Sequence, residues 1–73
     1  MYRLFDLKEG KTAVVSDLQV PDVMRRRLMD IGLVKGTTVR CVGTSPMGDP
    51  RAYLIRGAII ALRSEDSKNI LLV

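Results

Sequence analysis

The chain has 73 residues, 47% of them hydrophobic and 27% charged, a balance that allows one folded domain and excludes both a second domain and compositional disorder. One cysteine and no histidine exclude an intramolecular disulfide and a zinc or iron site built from soft ligands. The net charge of +4 raises nucleic-acid binding as a function, which the placement of the basic residues must decide.

Leu4, Phe5 and Leu7 precede Gly10 and predict a short irregular arm that packs apolar side chains across the end of a sheet. Asp6, Lys8 and Glu9 stand where a signal peptide needs an apolar core, so the expectation is a cytoplasmic protein. Thr12 to Ser16 is rich in β-formers and predicts strand one, with Asp17 to Gln19 linking it to a helix.

The helix begins near Val20. Pro21 suits its first turn, and Asp22 favours the positive end of its dipole. At about 100° per residue, Val20, Met24, Leu28 and Ile31 form one apolar stripe that must be buried. The helix stop is doubly marked: Gly32 supplies the left-handed residue of a Schellman ending, and Leu33 then meets Leu28 in the hydrophobic contact of that motif. Gly36 falls where a type II turn over Val34 to Thr37 needs positive φ, and Thr38 to Val42 alternates as strand two. Cys41 reads as a small buried hydrophobe on that strand.

The run Arg25 to Arg27 is not a basic patch, because consecutive helical residues diverge by about 100°. Arg26 has Asp22 four residues before it and Asp30 four after, an i,i+4 ladder. The other basic residues are scattered, and three aromatics are too few for base stacking, so no direct nucleic-acid partner is expected.

Ser45 to Pro50 cannot sit inside a sheet ladder and marks the longest exposed loop, followed by strand three over Arg51 to Arg56, with Tyr53 and Ile55 on one face and Ala52, Leu54 and Arg56 on the other. Gly57 permits a tight reversal or a bulge before Ala58 to Arg63, whose apolar character predicts a central strand four. That run is far short of the ~20 apolar residues that span a bilayer, so no membrane insertion is expected. Ser64 suits the cap of a single helical turn with Glu65 and Asp66 in its first positions, and Asn69 suits a left-handed exit into a last short strand, Ile70 to Val73. The fold expected is mostly β: about five short strands curled into a small, partly open barrel, with one α-helix between strands one and two and a short helical turn before the last strand.

No serine, cysteine or lysine stands in a recognisable catalytic setting, the Gly43 to Gly48 segment lacks the pattern of a phosphate loop, and the carboxylates have local explanations. No catalytic, metal or cofactor-binding residue is assigned. What remains is a binding module, whose function lies in its exposed apolar and arginine surface.

Three motifs then carry a resemblance: Arg27-Leu28-Met29-Asp30-Ile31-Gly32-Leu33-Val34-Lys35-Gly36-Thr37, Met47-Gly48-Asp49-Pro50, and Ile55-Arg56-Gly57 with Ala61-Leu62-Arg63. With Leu4, Leu7 and Gly10 at the positions of the opening leucines and glycine, the chain resembles the FeoA family of ferrous iron uptake over nearly its whole length. Ser67 stands where that family usually has alanine. The resemblance implies an SH3-like barrel, no catalytic activity or cofactor, and association with the cytoplasmic part of FeoB, the membrane iron transporter with a GTP-binding domain. Through that partner the protein would lie at the periphery of the inner membrane. The same fold occurs as the C-terminal domain of metal-responsive repressors, so the alternative is a protein-interaction module in regulation. A chain starting at Met1 with no helix-turn-helix before it favours transport.

The candidate contact residues are Arg25 and Met29, which share a helix flank about 100° to 140° from the buried stripe, and Met47, Asp49 and Arg51 of the proline loop. A solvated helix edge, a Met47 side chain folded back, and an Asp49 and Arg51 that only order their loop are the alternatives. Leu28, Gly32, Leu33, Gly36 and Gly57 are assigned structural roles. Oligomeric state is left open.

Overall fold

The computed structural model describes residues 2–73. A 3-10 turn (Leu4–Asp6) leads into β1 (Thr12–Leu18), α1 (Asp22–Asp30), β2 (Thr38–Thr44), β3 (Arg51–Ile55), β4 (Ala58–Leu62), α2 (Ser64–Ser67) and β5 (Ile70–Leu72). This is the element order the sequence predicts, with β1 and β2 each two residues longer at their ends.

The strands pair antiparallel in the order β4-β3-β2-β1-β5. β1 is the joint of the sheet: Thr12 to Val14 pair with β2, whereas Val15 to Leu18 pair with β5 across a bulge at Ser16. A second bulge in β2 lies between Cys41 and Gly43. Bulges increase local twist and bend a strand, so the two of them curl the sheet into an SH3-like barrel that stays open between β4 and β5.

Alternation sets what faces inward. Ala13, Val15 and Leu18 of β1, Val39 and Cys41 of β2, and Tyr53 and Ile55 of β3 are buried on one face. The helix stripe closes one end as its spacing requires, with Val20 and Leu28 buried and Met24 and Ile31 packed against the core. Leu4 and Leu7 of the arm complete it, each fully buried.

Four expectations are corrected. β4 is an edge strand, not a central one: only Leu62 is buried and Ile59 is 69% exposed. Its apolar run has the composition of a strand covered on both faces, but among the described residues no second layer covers the outside of this barrel there, and Ala58, Ile59 and Ala61 stay exposed. Arg56 belongs to the β3–β4 turn instead of β3, at φ 49°, with Gly57 at φ 82°. Two central residues at positive φ are what the two-residue hairpin turn matching strand twist demands. Finally, Ser64 is the first residue of α2 and not its cap, since Arg63 occupies the cap position without a side-chain bond. Asn69 does not exit left-handed either; its side-chain amide donates to the Glu65 carbonyl at 3.0 Å and closes the turn that way.

Candidate docking surface

The ending of α1 is built as its spacing predicts. Leu33 N–H donates to the Leu28 carbonyl at 2.8 Å and Gly32 N–H to the Met29 carbonyl at 3.0 Å, the two bonds of a Schellman motif, with Gly32 at φ 91°. Leu28 and Leu33 are buried together in the core. Thr37 N–H donates to the Val34 carbonyl at 3.0 Å around Gly36 at φ 92°, which closes the turn into β2. Gly32 has a second role that local spacing does not show: its carbonyl accepts from Thr37 Oγ1 at 3.0 Å and from Arg56 Nε at 3.0 Å. The helix-stop motif and the Arg-Gly turn are therefore one structure.

The five candidate contact residues divide into two kinds. Met29 is 53% exposed and Met47, at the tip of its loop, is 91% exposed. Arg25, Asp49 and Arg51 are only partly exposed and hold the chain's own backbone. Arg25 Nη2 donates to the Leu18 carbonyl and fixes α1 to the end of β1. Asp49 Oδ1 accepts from Ser64 N–H at 2.8 Å, so this loop residue supplies the cap that α2 lacks in its own sequence. Arg51 Nη1 donates to the carbonyls of Phe5 and Leu7 at 2.8 and 3.2 Å, and its guanidinium lies 4.9 Å from the centre of the Phe5 ring. Lys68 Nζ approaches the same ring at 5.1 Å, so Phe5 is contacted by two cations.

Sequence reasoning missed Val23. It is 70% exposed, and with Asp22, Arg26, Arg27 and Asp30 it lines a shallow depression of about 310 Å3 on the outside of α1. The Asp22-Arg26-Asp30 spacing was the available signal: these residues share the depression. Below the sheet, the Tyr53 hydroxyl donates to the Leu4 carbonyl at 3.3 Å. Burial pushes the Tyr53 phenol above its ordinary value, against the opposing effects of Ser67 and Arg51 beside it. Among the described residues, no three of His, Cys, Asp and Glu come together as metal ligands, and no helix is long and apolar enough to cross a membrane.

A bulged sheet curled over one capping helix, with free methionines on its surface, defines a small SH3-like barrel domain. The FeoA domain model matches residues 2–73, and the chain belongs to that family, a family of ferrous iron transport. It is 35% identical over 68 residues to the Fe(2+) transport protein A/Fe(2+) transporter FeoB fusion protein of Porphyromonas gingivalis (strain ATCC BAA-308 / W83), covering 93% of this chain and 8% of that protein. The solution structure of FeoA from Chlorobium tepidum superposes with a TM-score of 0.92 at 33% identity, covering 96% of this chain and 67% of that one. The crystal structure of Stenotrophomonas maltophilia FeoA complexed with zinc, described as an SH3 domain protein, gives 0.87 at 31% identity over 100% and 91% of the two chains. A manganese-dependent transcriptional repressor gives 0.86 at 21% identity over 97% and 40% of the two chains, a likeness of fold alone.

Proposed function

We propose that the protein is a non-catalytic accessory of ferrous iron uptake that docks on the cytoplasmic part of a FeoB-type GTP-binding transporter. The observation that carries this reading is the fusion relative, in which a segment 35% identical to this chain is joined covalently to a FeoB. Joining two modules turns their meeting into an intramolecular event and raises their effective concentration, which is useful when the two act together. In this reading the protein is cytoplasmic, reaches the inner membrane only through its partner, and binds no nucleic acid.

The proposed contact surface is the Met29 flank of α1, steadied by Arg25, together with the Met47 loop, steadied by Asp49 and Arg51. Exposed methionines fit adaptable protein contacts because the side chain is flexible and polarizable. The fold shared with a metal-dependent repressor keeps a second reading, a regulatory interaction module, whose partner would be another protein.

The decisive experiment replaces Met29 and Met47 with serine and leaves Arg25 in place, because Arg25 bonds Leu18. Stability should change by no more than about 0.5 kcal/mol per site, while affinity for the soluble cytoplasmic part of the transporter falls about tenfold if either methionine is a hot spot. A folded variant that binds undiminished and restores ferrous iron uptake overturns the surface. A native protein with no affinity for the transporter overturns the partner.

A further inference from the structure

The two ends of the sheet are treated differently. The outer edge of β5 is covered by the N-terminal arm: Leu72 N–H donates to the Tyr2 carbonyl at 2.8 Å, and Arg3 bridges Leu71. β4 has no such cover, and among the described residues its backbone pairs with β3 alone. The β3–β4 hairpin closes with Ile55 opposite Ala58 across the two turn residues Arg56 and Gly57. In a two-residue hairpin the closing pair exchanges both of its backbone bonds, and bonding direction alternates from there. The N–H and C=O groups of Ala58, Ile60 and Leu62 therefore point to β3, and those of Ile59 and Ala61 point outward. The side chains of Ile59 and Ala61 are exposed as well, opposite Leu54 and Ala52 of β3. Residues 58–62 contain no charge and no proline, and the strand is bounded by Arg56 and Arg63, both exposed.

We propose that this edge binds an extended segment of an acidic protein partner, added to the sheet as a further strand, with alternating apolar residues and a carboxylate at each end. The outward groups of Ile59 and Ala61 select an extended chain, because a helix has spent its own backbone groups internally. The apolar face of Ala52, Leu54, Ile59 and Ala61 selects apolar residues at alternate positions of the incoming strand. Charge decides against a second copy of this chain. A two-fold antiparallel pairing centred on Ile60 joins the outward groups of Ile59 and Ala61, and sets Arg63 opposite Gly57 of the other copy, beside its Arg56. With +4 on each copy, that pairing is repelled, whereas acidic ends turn both arginines into attractive contacts. The edge includes none of Arg25, Met29 and Met47, so it is tested independently of the docking surface above.

The test titrates nitrogen-labelled protein with a short synthetic peptide of alternating valine and threonine carrying aspartate at both ends, and with its lysine-ended counterpart. The aspartate-ended peptide should slow amide exchange at Ile59 and Ala61 while leaving Ile60 unchanged, and at low salt it should bind about tenfold more tightly than the lysine-ended one. Ile59→Lys, which keeps an exposed position exposed, should abolish the effect, and Arg63→Glu should narrow the preference between the peptides. Unchanged exchange at Ile59 and Ala61, or equal affinity for the two peptides, overturns the proposal. So does concentration-dependent protection of those amides without peptide, which would assign the edge to a second copy.

Discussion

Arg56 lies across Gly32, with its Nε 3.0 Å from the Gly32 carbonyl and its Cδ in the space a Cβ on Gly32 would take. Gly32 is thus constrained twice, by its φ of 91° and by the side chain over it. A side chain at positive φ costs about 1–2 kcal/mol, and Gly32→Val should exceed that, because the branched residue also displaces Arg56. Urea unfolding of Gly32→Ala with and without Arg56→Ala separates the two costs: the double-mutant cycle should return a favourable coupling of about 1 kcal/mol, and additive losses would show that Arg56 moves aside freely.

Arg51 ties the N-terminal arm to the barrel through two carbonyls and the Phe5 ring. Arg51→Ala should cost about 2–3 kcal/mol, as expected for charged hydrogen bonds, and should speed amide exchange at Leu72, whose N–H is held by Tyr2 of the same arm. Arg51→Lys should recover less than half of the loss, since an ammonium lacks the planar fork and stacks less well. Full recovery would reduce the role of Arg51 to its charge.

These residues mark how far the sequence could be read. The ending of α1 was legible because Leu28, Gly32 and Leu33 satisfy one another within a single turn, and the faces of β3 were legible because alternation is local. Arg51 and Asp49 were not: one bonds carbonyls 44 and 46 positions away and the other an amide 15 positions away, so no local pattern carries either contact. β4 failed for a related reason. Hydrophobicity reports that a strand is apolar, but what covers it depends on the sheet order, a property of the whole chain. The same gap left the bare edge and Val23 unseen.

Burial holds the Tyr53 proton in the folded state beyond its ordinary value of 10.0. Above that value the unfolded chain loses the proton first, so the folded chain binds more protons and stability falls as pH rises. The contribution is fully present below about pH 9 and is lost from about pH 10 upward, through the raised folded value. Chemical denaturation across this range should show the loss, and Tyr53→Phe should flatten it while costing about 1 kcal/mol for the bond to Leu4. An alkaline limb unchanged in Tyr53→Phe would place its cause elsewhere.

The only cysteine is buried and no histidine is present. Fe2+ and Zn2+ should accordingly bind no tighter than about 0.1 mM, the range of weak carboxylate sites. Calorimetry under reducing, anaerobic conditions checks this, and a stoichiometric micromolar site would refute it.

Asp49 decides between scaffold and contact at the Met47 loop. Its carboxylate accepts from Ser64 N–H at 2.8 Å, with Ser64 Oγ at 3.5 Å from the other oxygen, at the first turn of a helix that has no cap of its own. That helix carries the buried Ser67 and delivers the chain to Ile70 of β5, so its start must be held. Asp49→Ala removes the acceptor and should cost about 1 kcal/mol, the usual effect of a lost cap, with amide shift changes at Ser64 to Ser67. Asp49→Asn keeps an acceptor oxygen in place and should restore most of the stability. Transporter affinity then separates the roles. A folded Asp49→Asn protein that binds as the native one does makes Asp49 a support for the loop that presents Met47, and one that folds normally yet loses affinity makes the charge itself a partner contact.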